Sequence, residues 1–333
     1  MRLRSRIAAG VAAVVAATLF VITPPVHAEP GEGGTKGLRE ALETASKGYQ
    51  DAKVKLDAAK KRQGELAVEI TASKTRVDQL SQQVGLLAAT QYKGGGNGSL
   101  KALLSSDSMS AYLQGAATMR YMSERDAKQV TDLKGAQLKL DQQRKELDLA
   151  IAEQETQLKE LAKRRADALK ALEAAGGGQQ ASGPSGPLPN SANPAPRNPD
   201  GSWPSESCSV KDPTTSGCLT PRTLHAFNQT KSAGFTRFVA CYRSGEDGGE
   251  HPRGRACDWA AAVGGFENVD ASGGDRTYGN NLAAWYVANA DKLAVLYVIW
   301  YRQIWMPGTG WRSYSGGGGP AAAHTNHVHL SVR

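Results

Sequence analysis

The chain has 333 residues, about two domains' worth at roughly 100–200 residues each. It carries 40 Lys plus Arg against 32 Asp plus Glu, a net charge of +8. It has only one long apolar run, which excludes a polytopic membrane protein, and four cysteines in this length exclude a disulfide miniprotein. Aromatic residues are uneven: all six Trp lie between Trp203 and Trp311, so an aromatic-poor half is joined to an aromatic-rich one.

The apolar run reads as a targeting signal over residues 1–28. Arg2, Arg4 and Arg6 form a positive start, Ile7 to Ile22 an apolar stretch, and Val26-His27-Ala28 a small-residue cleavage site. An uncleaved anchor needs about twenty apolar residues, so the expectation is export, with no stable transmembrane segment after cleavage. The mature chain then carries 37 basic against 32 acidic residues, +5. That excess suits an anionic cell envelope but forms no patch that argues for nucleic acid.

After a short disordered stretch at 29–37, residues 38–175 predict an antiparallel coiled-coil hairpin. In the first arm, one seam is Leu42, Tyr49, Leu56, Gln63, Ile70, Val77, Val84. The other is Leu38, Ala45, Ala52, Ala59, Leu66, Ser73, Leu80, Leu87. In the second arm the seams are Val130, Gln137, Arg144, Ile151, Leu158, Arg165, Leu172 and Leu133, Leu140, Leu147, Gln154, Leu161, Ala168. Each arm is expected to run about 75–80 Å. Gly94 to Gly98 stops the first arm, and the apolar cluster of residues 100–122 predicts short helices folded on the tip. That tip is either a packed cap or a methionine-rich surface for an envelope protein partner. Residues 176–200 read as a Gly/Pro/Ser-rich linker, flexible or extended.

Residues 201–333 predict a small α+β domain with an antiparallel sheet. Thr220-Pro221 opens a helix that ends by Gly234. Strands are expected over Phe235–Tyr242, 255–263, Val295–Trp300 and Asn326–Val332, with a helix over Asn280–Lys292. In an exported chain the cysteines favour two disulfides. Near neighbours meet the least loop-closure cost, which favours Cys208–Cys218 and Cys241–Cys257.

Five histidines remain after cleavage, and four sit in two clusters, His251 with Asp258 nearby, and His324, His327, His329. On a strand, residues i and i+2 share a face, so His327 and His329 project into one cleft. His251, Asp258 and one of that pair supply a three-ligand zinc set with room for water. His225 reads as a packing or surface residue, and His324 as either an outer-shell or a loop residue.

The run from His251 through Gly254 and Ala256 to Asp258 matches H-x-x-G-x-A-x-D. It resembles the zinc D,D-peptidases grouped with lysostaphin-type endopeptidases and the hedgehog amino-terminal domain. His327-Val328-His329 is similar to the H-x-H element of those endopeptidases. The resemblance covers about the last 130 residues and implies His251, Asp258 and His329 as zinc ligands, with His327 as acid/base or transition-state stabiliser. The layout also resembles exported actinobacterial proteins in which a helical hairpin precedes a cell-wall hydrolase domain.

The sequence departs from the carboxypeptidase branch in two places. The Glu that serves as base before the last ligand is missing, and Gly249 stands where Ser is usual. The base is therefore His327 or a carboxylate such as Glu250 or Glu246. The expected function is a zinc-dependent hydrolase cutting an amide bond in peptidoglycan, with Arg243 or Arg302 holding a substrate carboxylate, though ordinary surface charge accounts for those arginines equally well. The alternative is a non-catalytic metal-binding or scaffold protein of the envelope. A glycosidase, which needs two carboxylates across a cleft, is third.

Overall fold

The computed structural model describes residues 35–93, 101, 103–245 and 249–333. The expected signal sequence, the Gly94–Gly98 stop and Glu246 lie outside the described residues. Among the described residues, no helix is long and apolar enough to cross a membrane.

Two long helices come first, α1 (Lys36–Lys93) and α2 (Met109–Ala174). At 1.5 Å per residue they run about 87 and 99 Å. They pack antiparallel: Arg62 meets Glu146 at 2.7 Å, and Gln143 donates to Glu69 at 2.8 Å. Of the stretch 29–37 expected to be disordered, residues 29–34 lie outside the described residues, and the rest is corrected: Thr35 Oγ1 accepts from the Leu38 N–H at 3.2 Å and α1 starts at Lys36.

In α1 the Leu38 seam is buried through Leu66 and again at Leu80, and Leu42 and Leu56 of the other seam are buried too. In α2 one expected seam faces the partner, and of the other only Leu172, at the base, is buried. Leu140 and Ala168 are buried, while Val130, Ile151 and Leu158 are exposed. The second inward row is instead Ala136, Gln143, Ala150, Gln157 and Arg164. Two helices alone bury a narrow strip, and small residues and Gln let the arms approach more closely than a second branched row would. Gly48 marks such an approach, since a Cβ there would meet Arg164 Nε at 2.5 Å. Leu140→Ala should therefore cost roughly 2–5 kcal/mol, and Ile151→Ala within about 0.5 kcal/mol, measured by denaturant unfolding followed through helical circular dichroism. Equal costs would put the seam on the wrong face.

Of the expected short helices at the tip, residues 101, 103 and 104 are helical, while residues from 109 onward belong to α2. Ser108 caps α2 by accepting from Ala111 N–H at 3.2 Å, and the helix runs unbroken from there. Met109, Tyr112, Leu113, Tyr121 and Met122 thus sit exposed on its first turns.

The C-terminal unit is built on a six-stranded antiparallel sheet ordered β3-β4-β8-β5-β6-β7. Its strands are β3 (Val239–Ala240), β4 (Ala256–Ala260), β5 (Val295–Trp300), β6 (Gln303–Met306), β7 (Gly310–Ser313) and β8 (His327–Val332). A small pair, β1 (Val210–Lys211) with β2 (Cys218–Leu219), stands apart. The helices are α3 (Pro221–Ser232), α4 (Gly273–Ala288) and α5 (Ala290–Leu293). Thr220 caps α3 as expected. The strand expected over Phe235–Tyr242 shrinks to two residues, because Phe235 turns to pack on Tyr278 and Trp285 of α4. Both disulfides pair as expected, Cys208–Cys218 and Cys241–Cys257.

The sheet has two unlike faces. Trp259, Val298, Trp300, Val328, Leu330 and Val332 point toward the helices and form the main core. The opposite face carries Asp258, Ile299, His327, His329 and Ser331, since Asp258 is paired with His329 and His329 with Ile299. The base of the hairpin packs on this second face: Leu38, Leu42, Ala45, Ala168 and Leu172 join Leu296, Tyr297, Ile299, Ile304, Met306 and Tyr314 in one buried cluster. The contact is also polar, with Gln50 donating to the Val295 carbonyl at 2.8 Å and Arg333 pairing with Asp51 at 2.9 Å.

Segment 176–200 is extended rather than flexible, and it straps the domain. Ala181 N–H donates to the Trp311 carbonyl at 3.2 Å, Ala192 N–H to Asn289 Oδ1 at 2.9 Å, and Ala195 N–H to the Lys292 carbonyl at 2.8 Å. Ala192 and Ala195 belong to the domain core, which therefore begins before residue 201.

Candidate metal centre

β4 and β8 carry most of the centre, and a tight turn carries the rest. His251 opens a single 3₁₀ turn, His251–Arg253, which ends at Gly254 with φ 66°, a left-handed conformation that glycine adopts without cost. A Cβ at Gly254 would also meet Cys208 Sγ at 2.5 Å, so the small-residue position in the H-x-x-G spacing is steric as well as conformational. The chain then enters β4, where Asp258 faces His329 across the ladder. One ligand atom from each of His251, Asp258 and His329 lies within 4.8 Å of the others, and all three residues are buried.

Hydrogen bonds around these groups set their orientation. His251 Nδ1 bonds the Cys241 carbonyl, which turns Nε2 toward Asp258 Oδ2 at 3.1 Å. His329 Nδ1 lies 2.8 Å from Asp258 Oδ1, and its Nε2 lies 2.7 Å from Ser331 Oγ. A ring that donates one N–H to a carbonyl or hydroxyl presents the lone pair of its other nitrogen, the usual arrangement behind a metal-binding histidine. His327 follows the same rule: Nδ1 bonds Asn326 Oδ1 at 2.7 Å and Nε2 lies 3.7 Å from Asp258 Oδ1.

The electrostatics favour a cation. Burial drives His324 well below the ordinary histidine value and His327 down to about 4, so both rings are neutral near pH 7. Burial acts to raise Asp258, but the neighbouring imidazoles, His251 foremost, outweigh it and hold the carboxyl well below its usual range. A buried carboxylate among lone-pair nitrogens is a cation-binding set. Two imidazoles and one carboxylate fit zinc, whose donor distances run about 2.0–2.2 Å. Buried Nε2 atoms on His324 and His327 without hydrogen-bond partners are further donors turned inward.

Of the other residues anticipated from sequence, Arg243 is at the centre, 3.7 Å from Asp258 Oδ2. Arg302 is not: it is exposed and pairs with Asp270 at 3.3 Å. Glu250 is buried, and its carboxylate pairs with Arg255 at 2.6 Å. Sequence reasoning left His324 undecided. The structure buries it, holds it at φ 51°, and sets its ring 4.7 Å from that of His327. Ser331, Asn326 and Tyr297, which stacks on His329 at 5.5 Å, were missed altogether. Ser331 alone had a readable signal, because it lies two residues beyond His329 and so shares its face.

Residues 215–325 match the family model of the VldE C-terminal domain. The VldE match covers a third of the chain. It includes His251, Asp258 and His324, and it stops short of His327 and His329. No curated protein and no solved structure matches the chain.

Proposed function

We propose that the chain is an exported, zinc-dependent hydrolase of the cell envelope, acting on an amide bond of the peptidoglycan stem peptide or cross-link. The observation that carries this reading is the convergence of His251 and Asp258 from one motif and His329 from the distant C-terminal strand onto one buried point. The two disulfides suit an oxidising compartment. Zinc held by these residues would supply an activated water and polarise a carbonyl. His327 is placed to move a proton, because its Nδ1 is anchored on Asn326 and its Nε2 faces the centre. Arg243 is placed to orient a carboxylate or carbonyl of the substrate next to Asp258. We take His327 as the base; Glu250, the described alternative, pairs with Arg255 at 2.6 Å.

One observation favours a second reading, a metal-binding envelope protein without turnover: His251, Asp258, His324, His327 and His329 are each at most 2% exposed. The deciding experiment is metal analysis of the purified chain, together with release of soluble peptides from isolated cell walls. One bound zinc with release supports the hydrolase. One bound zinc without release under any condition supports the second reading. No bound zinc sinks both.

A further inference from the structure

We infer that the base of the helical hairpin is a latch that holds the metal centre closed, with Glu43 as its polar catch. The inference rests on the metal-centre reading for its purpose but not for its geometry. A substrate as large as a peptidoglycan strand needs an open face, yet His324, His327 and His329 are each 0% exposed. Phe266 covers one side of His327 at 5.8 Å, and two further walls, both gripped by one stretch of α1, cover the rest.

The first wall is aromatic. Tyr297 stacks on His329 at 5.5 Å, and Tyr314 meets the edge of His324 at 5.8 Å. Both tyrosines are buried in the cluster that Leu38 and Leu42 of α1 and Leu172 of α2 complete. The second wall is the turn that carries His251. Arg253 and Arg255, on either side of Gly254, both bind the Glu43 carboxylate, Arg255 Nη2 at 2.6 Å. Glu43 directly follows Leu42, so the apolar and ionic grips share one helical turn. Burial would raise the Glu43 carboxyl, but Lys47, Arg255 and Arg253 outweigh it and bring it down to about 2. The catch is therefore charged at any physiological pH. Removing Glu43 leaves Glu250 alone to balance Arg253 and Arg255 and takes away the one carboxylate that ties their turn to α1, which makes Glu43 the point where the latch can be released by a single change.

The test is carbethoxylation of histidines by diethyl pyrocarbonate on the full chain, mapped by peptide mass spectrometry, with and without added Zn²⁺. Half-buried His225 on α3 is the internal reference. In the wild type His324 and His327 should react far more slowly than His225. Glu43→Arg should raise their rates by about tenfold or more, with amide exchange in β5 and β8 unchanged, and Glu43→Gln should give a smaller rise in the same direction. The metal-free protein should show the same contrast. Centre histidines that react as fast as His225 in the wild type would overturn the latch, as would unchanged protection in both variants. Should Glu43→Arg unfold, seen as lost amide protection in β5 and β8, the Glu43→Gln result decides. A wild-type chain that takes up no zinc refutes the metal reading, while the carbethoxylation contrast still decides the latch.

Discussion

Replacing His329 by alanine is expected to empty the metal centre, on the reading proposed above, and to abolish metal binding and activity together. His329 is one of three groups that converge, and its two ring nitrogens are both committed: Nδ1 faces Asp258 Oδ1 at 2.8 Å and Nε2 faces Ser331 Oγ at 2.7 Å. Losing it leaves one imidazole and one carboxylate, too few for a catalytic zinc, which keeps three protein ligands. His327→Ala should behave differently. Its Nε2 faces Asp258 Oδ1 at 3.7 Å from two rungs along the ladder. The variant should keep its zinc and lose about 10²- to 10⁴-fold in turnover, the usual contribution of a positioned acid or base. Ser331→Ala, which removes the hydroxyl behind the ligand, should weaken zinc binding by about 10- to 100-fold. Zinc content by elemental analysis, affinity by chelator competition and peptide release from cell walls separate the three. Metal loss in His327→Ala with metal retained in His329→Ala would reverse the two roles. Full zinc content in both would end the proposal.

Converting Cys241 and Cys257 together to alanine should cost about 3 kcal/mol of stability, the value for a loop of some fifteen residues within the usual range of about 2–5. The bond spans 16 residues, and both cysteines are buried. Its effect on the centre should exceed its effect on the fold. Cys257 immediately precedes Asp258 in β4, and the Cys241 carbonyl is the acceptor that orients His251. One bond therefore sets the spacing of two proposed ligands, and the double variant should bind zinc more weakly as well as melt earlier. Cys208–Cys218 contributes no atom to the centre, and its removal should lower the melting temperature with little change in zinc affinity. Calorimetry paired with zinc titration checks this. Equal loss of affinity in both pairs would show that the bridges act only through global stability.

Much of the molecule was legible in the chain itself. The sevenfold spacing from Leu38 to Leu80 and from Leu133 to Ala168 marks two long helices, because only an unbroken 3.6-residue repeat keeps those residues on one stripe. Thr220-Pro221 marks the start of α3, and the continuous run Val295–Trp300 marks a strand buried on both faces. Short loops between cysteines indicated the disulfide pairing. The histidine spacing brought the candidate ligands into view, since i and i+2 on any strand must share a face.

Other features were decided only in three dimensions. The β6–β7 half of the sheet went unread because the β5–β6 turn is made by Tyr301 and Arg302, at φ 52° and 62°. Those residues carry no turn signal, and their left-handed backbone is held by hydrogen bonds from their amides to the His324 and Ala323 carbonyls. The sequence puts the second seam of α2 on the row of Val130, Ile151 and Leu158 because they are as apolar as an inward row, and only tertiary contacts, Gln143 with Glu69 and Gly48 with Arg164, show which side the partner occupies. Segment 176–200 has a linker's composition, yet its backbone donors meet acceptors on the finished domain that no local sequence announces. Above all, a one-dimensional reading treats hairpin and domain as separate. Their joining depends on Leu38, Leu42 and Glu43 meeting Tyr297, Tyr314, Arg253 and Arg255, residues more than 200 positions away. Composition and periodicity determine the elements and the ligand types, but what covers the metal centre is determined by contacts that exist only once the chain has folded.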